Sequence, residues 1–332
     1  MRMRLSLTIA LAIFLGIFVV GCTGPKIRLF SDASDPLQET TLSGTGDDRI
    51  LVIPVTGIIT DRPKSRFLRT MPGMVQEVVS HLRLAEKDER VRAVLLKIDT
   101  PGGTTTASDV LYHEIAAFKA RTGKKIVVCM MNLATSGGYY ISLPADMIVA
   151  HPTTVTGSVG VILMRPEMSG LMDKIGVGVQ VNKSGDNKDM GSPFRPITPE
   201  EENMLQELAD ALGRRFVDLV KAHRSLDDAS LARVADARIF LAADALDLGL
   251  VDQIGYLQDA LDEARQLASL DDNARVIIYR RTRYPDDNLY NTLTSGTSAD
   301  SAPPLLDMGL VGDLLALDAG FYYLWPQALG SP

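Results

Sequence analysis

Ser136 is the residue whose surroundings best suit chemistry. It stands in Ala134-Thr135-Ser136-Gly137-Gly138, a small-residue turn between the apolar run Ile126 to Met131 and the stretch Tyr139-Tyr140-Ile141-Ser142-Leu143. The run reads as a strand buried on both faces, and the aromatic stretch as the start of a helix. A serine at such a turn lies beside helix N–H groups that have no partner within the helix. Those donors, aided by the helix dipole, can hold an oxyanion next to the hydroxyl, and the glycines let substrate and backbone approach closely. The chemistry on offer is nucleophilic acyl transfer. The turn follows the nucleophile-elbow pattern Gly-x-Ser-x-Gly without its first glycine. A plain turn in an α/β domain would have the same composition.

A serine hydroxyl is a poor nucleophile unless a base touches it. The chain has four histidines, His81, His113, His151 and His223. Three fall on expected helices, away from strand ends, and read as surface or packing residues. His151 lies at a strand terminus and admits a Ser-His-Asp reading. With Pro152 directly after it, it reads equally as a strand cap. Cys129, inside the apolar run, is a buried small hydrophobe rather than a reactive thiol.

The elements that must carry Ser136 alternate between strand and helix. Strands are expected at 50–59 (broken near Gly57), 91–98, 126–131 and 147–150, with helices at 72–87 and 107–121 between them. That alternation predicts βαβ units and a mainly parallel sheet. Ligands then bind beyond the carboxyl ends of the strands, where both Gly102-Gly103 and Ser136 fall. A β-rich glycine segment covers 153–162, a brief helix 171–175 and a further strand 177–181. The capping box Thr198-Pro199-Glu200-Glu201 starts a long helix whose stripe Leu205, Leu208, Leu212, Phe216 and Leu219 is expected to face the core. Helices near 227–235, 242–248 and 256–268 and a strand at 276–279 complete the body. Residues 285–305 read as a flexible tail, and the apolar end 305–326 is too interrupted to span a membrane but could pack on the body or on a neighbour.

The 332 residues carry 34 Lys+Arg against 41 Asp+Glu, a net charge of −7, which excludes nucleic acid as the main partner. Two cysteines with no Cys-x-x-Cys suggest neither a zinc site nor a disulfide framework, so no metal or cofactor is expected. Arg2 and Arg4, the apolar run Leu5 to Val20 and then Gly21-Cys22 make an export signal. The ending is similar to the lipobox of bacterial lipoproteins, in which the cysteine is acylated. The alternative is an uncleaved signal anchor.

Four stretches together resemble the signal peptide peptidase A family, serine–lysine peptidases of the Clp/crotonase superfamily. They are Asp99-Thr-Pro-Gly-Gly103, Ala134-Thr-Ser-Gly-Gly-Tyr-Tyr-Ile141, Thr156-Gly-Ser-Val-Gly-Val161 and Ser184-Gly-Asp-Asn-Lys-Asp-Met-Gly-Ser-Pro193, extended by Thr198-Pro-Glu-Glu and Leu248-Gly-Leu-Val-Asp252. Each is weak alone, and their order over residues 50–280 is the signal. The resemblance implies an α/β fold of repeated ββα units, Clp/crotonase-like, with a mainly parallel sheet and a helical extension. Together with the export signal and the polar stretches, it divides the chain into a signal peptide (1–21), a tether (22–48), a peptidase domain (49–281) and a partly flexible tail (282–332). It makes Ser136 the nucleophile and Lys188 the general base, with oxyanion donors at Gly103 and Gly137 and with Ser158 orienting the lysine. Thr100 stands where serine is common in the family.

A lysine serves as base only when neutral, and bringing its reference value of about 10.4 near 7 disfavours the charge by roughly 4.6 kcal/mol, which a dry cleft can supply. Read without the resemblance, Lys188 is a solvated loop lysine beside Asp189. The activity implied is a serine endopeptidase attached to the bacterial cell envelope, on its periplasmic or extracytoplasmic face, acting on cleaved signal peptides and other short apolar segments. A ring-like homo-oligomer with sites shared between protomers goes with it. Two other classes stay open, a crotonase-like acyl-CoA enzyme and a non-catalytic peptide-binding scaffold.

Overall fold

A computed structural model describes residues 35–66, 69–282, 284, 287–291 and 319–328. The export signal, Cys22 and most of the stretch expected as a flexible tail lie outside them. In chain order the strands are β1 (Gln38–Ser43), β2 (Arg49–Thr56), β3 (Lys64–Arg66), β4 (Arg69–Met71), β5 (Val91–Thr100), β6 (Gly102–Thr104), β7 (Lys125–Thr135), β8 (Met147–Ala150), β9 (Val155–Gly157), β10 (Ile162–Met164), β11 (Ile239–Leu241), β12 (Gln253–Ile254), β13 (Arg275–Arg280) and β14 (Gly320–Leu324). The helices are α1 (Met74–Lys87), α2 (Thr105–Thr122), α3 (Gly137–Ser142), α4 (Ser169–Ile175), α5 (Pro199–His223), α6 (Asp228–Ala235), α7 (Ala242–Asp247) and α8 (Leu257–Leu267).

The main sheet runs β1-β13-β2-β5-β7-β8-β12, parallel from β13 to β12 and closed at one edge by the antiparallel β1. This is the mixed α/β, mainly parallel fold that the alternation predicts. Period-two alternation sends β5 and β7 side chains into two cores. Val94, Leu96, Ile98, Ile126, Val128 and Met130 join the core under α1, α2 and α5, while Ala93, Leu95, Val127 and Cys129 face Leu257, Ala260, Leu261 and Ala264 of α8. Burial pushes the Cys129 thiol up to about 12, so it packs as a hydrophobe.

Three expectations are corrected. Residues 38–43, assigned to the tether, form β1, which extends the sheet beside β13. Val177–Val181 forms no strand: the segment is exposed and pairs with no strand among the described residues. The helix at Thr198 starts with both bonds of its capping box, but its stripe is core only at one end: Phe216 is buried with Leu219 packed against the same core, and Leu208 is 48% exposed. Leu205 and Leu212 are only half-buried, so periodicity there marks an apolar surface. The apolar C-terminal end does pack on the body, through β14, which inserts antiparallel between β6 and β10 in a second, three-stranded sheet.

Candidate active site

The site is made by an irregularity in the central strand. β7 pairs with β5 in step up to Ile98↔Met130, then loses register, and pairing resumes at Thr100↔Ala134. The Asp99 carboxylate accepts the Leu133 N–H at 3.0 Å across the gap, and burial raises its proton affinity. Beyond the bulge β7 leaves β8 and pairs with β9 instead, Leu133↔Val155 through Thr135↔Gly157. A bulge that bends a strand re-aims its end. Here the end is Ser136.

Ser136 is the single residue between β7 and α3, with φ 52° and ψ −113°, outside the regions an L-residue ordinarily occupies. Such conformations cost about 1–3 kcal/mol and persist where the surroundings over-determine them. Its N–H donates to the Gly157 carbonyl at 2.8 Å, and the Tyr140 N–H donates to its carbonyl at 2.9 Å. Its hydroxyl is fully buried and has no hydrogen-bond partner among the described residues. The strand reaches Thr135 and the helix begins at Gly137, so the elbow is sharper than the sequence suggests. α3 has only six residues, so fixed N–H groups rather than a long helix dipole are what it offers.

The glycines converge here. A Cβ built on Gly137 would stand 3.1 Å from the Gly103 nitrogen and 2.5 Å from the Ser108 hydroxyl, and one on Gly102 would stand 2.8 Å from the Gly137 nitrogen. At Gly103 a Cβ would lie 1.9 Å from the Ile59 carbonyl, because β6 is held against Ile59 on that side. Thr100, buried, holds the turn by accepting the Gly102 N–H at 3.1 Å and donating to the Gly57 carbonyl at 2.5 Å. Ser158 follows Gly157 beside the elbow, at φ 54°, with its N–H on the Arg238 carbonyl at 2.8 Å. Ser136, Gly137, Gly103 and Ser158 are thus brought together.

Lys188 is not. It is exposed in the polar loop, and the orphaned Ser136 hydroxyl excludes a bond between the two within this chain. The loop is nevertheless fixed. Asp189 is held by Arg195 and Lys183, which together keep its carboxyl well below the usual range, and Arg195 also grips Glu201, held at about 2 chiefly by that bond. Glu201 is the N3 residue of the α5 capping box, so the loop is tied to the start of α5.

His151 pairs with the Thr153 hydroxyl at 2.9 Å and packs edge-on against Tyr256, away from the Ser136 hydroxyl. Of the other histidines, His223 meets the Tyr112 hydroxyl at 2.8 Å, and His81 is buried rather than exposed. Sequence reasoning missed Ile59, Ser108 and Tyr323. Only the last carried a signal, the β-prone run Gly320-Phe-Tyr-Tyr-Leu.

The profile of Peptidase family S49 matches residues 118–271. A protein of Enterococcus faecium, named as a candidate signal peptide peptidase SppA, is 36% identical over 253 residues, 76% of this chain and 73% of that one. Protease 4 of Haemophilus influenzae is 33% identical over 264 residues, 78% of this chain and 42% of that one. The chloroplastic serine protease SPPA of Arabidopsis thaliana is 31% identical over 263 residues, 78% of this chain and 38% of that one. Among solved structures, a ClpP1 mutant from Listeria monocytogenes matches with a TM-score of 0.41 and 15% identity, over 63% of this chain and 94% of that one.

Proposed function

Because the chain belongs to Peptidase family S49, with signal peptide peptidase A among its relatives, and is therefore a serine-type peptidase, we propose that Ser136 is its nucleophile. The observation that carries this is the buried, unpartnered hydroxyl on a strained elbow beside the Gly103 and Gly137 amides. Ser136 attacks a peptide carbonyl, the glycine amides take the oxyanion, and a seryl ester forms and is hydrolysed. The substrates are cleaved signal peptides and other short apolar segments. A serine-directed fluorophosphonate, followed by peptide mapping, is expected to label Ser136. Labelling of another serine would remove it from the mechanism.

The base is Lys188 of a neighbouring protomer, in a homo-oligomer whose contact also brings it near Ser158. The incomplete dyad within one chain supports this reading. So does the exposed apolar surface leading to the loop, with Leu171 55% and Ile175 63% exposed and Val177, Val179 and Val181 exposed beside them. Such a surface is what a partner covers, and covering it would dry the loop lysine.

The chain is exported and held at the membrane by lipid on Cys22. Among the described residues no helix is long and apolar enough to cross a membrane, and the support is the Gly21-Cys22 ending of the export signal. Cys22→Ala is expected to leave the protein unprocessed or to release it from membranes, read by mass spectrometry of the mature N-terminus. A membrane form that retains Met1 to Val20 would establish the signal anchor instead.

A further inference from the structure

Between Ile98↔Met130 and Thr100↔Ala134 a single residue of β5, Asp99, faces Met131, Asn132 and Leu133 of β7. β7 therefore carries a surplus of two residues. A surplus of two keeps the alternation of faces, because side chains repeat every second residue along a strand. Met130 and Ala134 accordingly lie in the same core, while Asn132, of the same parity, is exposed. In straight pairing Asn132 would take the place of Ala134 opposite Thr100. Its amide would then turn into that core, which is unfavourable without hydrogen-bond partners. Ser136 would also stand two residues, about 6.6 Å, farther along the strand and past the Gly103 amide.

The surplus takes main-chain groups out of the ladder, and side chains from both neighbours meet them. On the β5 side the half-buried Asp99 accepts the Leu133 N–H at 3.0 Å. Asp99 is itself fixed, since its carbonyl accepts the Gly57 N–H at 3.1 Å. On the other side stands Thr154, fully buried and placed just before β9. Its hydroxyl donates to the Met130 carbonyl at 3.0 Å and reaches the Met131 carbonyl as well. The next residue, Val155, opens the pairing with β9 at Leu133, and that pairing ends beside the elbow at Thr135↔Gly157. The bulge is thus gripped from two sides, directly before the strand that ends on Ser136.

We propose that Asp99 and Thr154 are positioning residues for Ser136: they hold the β7 surplus in its bulge, and so keep the hydroxyl beside the Gly103 and Gly137 amides. This rests on the peptidase reading of Ser136 given above. Both act through the backbone of β7 rather than on the peptide. Their loss therefore falls on kcat, because a misplacement of about 1 Å at a reacting group can cost roughly a hundredfold. The Gly102–Gly103 strand belongs to another sheet and stays where it is, so KM should change little.

The test uses the full chain and a fluorogenic apolar peptide, with competent sites counted by fluorophosphonate titration. Thr154→Val keeps the shape and removes the donor, and Asp99→Ala removes the acceptor. Each is expected to lower kcat per titrated site by roughly tenfold to a hundredfold. Asp99→Asn keeps an oxygen at the acceptor position and Thr154→Ser keeps the donor, so each should recover most of the lost rate. A residue that only stabilised the fold would lower the number of titrated sites and leave kcat per site as it was. That result in either Thr154→Val or Asp99→Ala overturns the proposal, as does an Asp99→Asn variant no better than Asp99→Ala. Where Asp99→Ala does not fold, Asp99→Glu takes its place, since it keeps the charge and displaces the carboxylate by one methylene. A second readout needs no catalysis. In a crystal structure of the chain carrying both Asp99→Ala and Thr154→Val, the elbow should have left the Gly103 amide. An elbow still in place overturns the proposal. A displaced elbow, with no hydrolysis or labelling in any form including the unaltered chain, would uphold the clamp and defeat the peptidase reading of the site.

Discussion

Ser136→Ala is expected to lose peptide hydrolysis almost completely, by up to about a million-fold in kcat if this site behaves as catalytic triads do, and at the same time to melt at a higher temperature. The two effects have one origin. The Ser136 hydroxyl is fully buried with no hydrogen-bond partner, and a buried hydroxyl left unsatisfied costs about 1–3 kcal/mol. Alanine removes that group and leaves the packing otherwise unchanged. A gain of one to a few kcal/mol corresponds to a shift of a few degrees for a domain of this size. Ser136→Gly should melt higher still, since glycine alone tolerates positive φ without strain. A serine kept for structure would show the opposite pattern, with lower melting temperature and activity falling only as far as folding does. Calorimetry on the pair of variants, beside a peptidase assay, separates the two. Near-wild-type turnover in Ser136→Ala would end the assignment.

The second large effect concerns Lys188. Lys188→Arg should be as inactive as Lys188→Ala, because a guanidinium does not give up its proton and cannot accept the one leaving serine. A lysine that only attracted substrate by its charge would be well replaced by arginine. Substantial activity in the Arg variant would therefore reduce Lys188 to a binding residue. Mixing supplies the other half of the test. Within one chain the Ser136 hydroxyl has no partner and Lys188 is exposed on a loop tied to α5, so the base is expected to come from a neighbour. Ser136→Ala and Lys188→Ala protomers, each inactive alone, should recover activity when exchanged. Random assembly of a head-to-tail ring restores about one quarter of the sites. No recovery, with exchange verified by mass, would place both groups in one protomer.

How far the sequence disclosed this arrangement differs from part to part. The strands β5 and β7 were legible because burial on both faces leaves long apolar runs; α2 was expected at 107–121 and begins two residues earlier, where the Thr104 side chain caps it. The convergence of Gly103, Gly137 and Ser136 followed from their common place at strand carboxyl ends. The elbow's sharpness did not, since it arises from a register shift between β5 and β7 that no local pattern records. β1 was read as tether because its composition is polar. It is an edge strand, with one side free to face water. The stripe on α5 misled in the opposite sense, since periodicity shows that a helix has an apolar face but not whether its own chain covers it. β14 pairs with β6 over a separation of more than 200 residues, and pairing at that distance is set by the completed fold.

The position of β7 has one more consequence. It is paired on both sides, with β5 along one edge and β8 and β9 along the other, and its side chains fill both cores. Amides in such a strand exchange with solvent deuterium only when the whole domain opens, whereas an exposed segment exchanges through small local openings. Ser136, the proposed nucleophile, is therefore mounted on the slowest-exchanging part of the molecule.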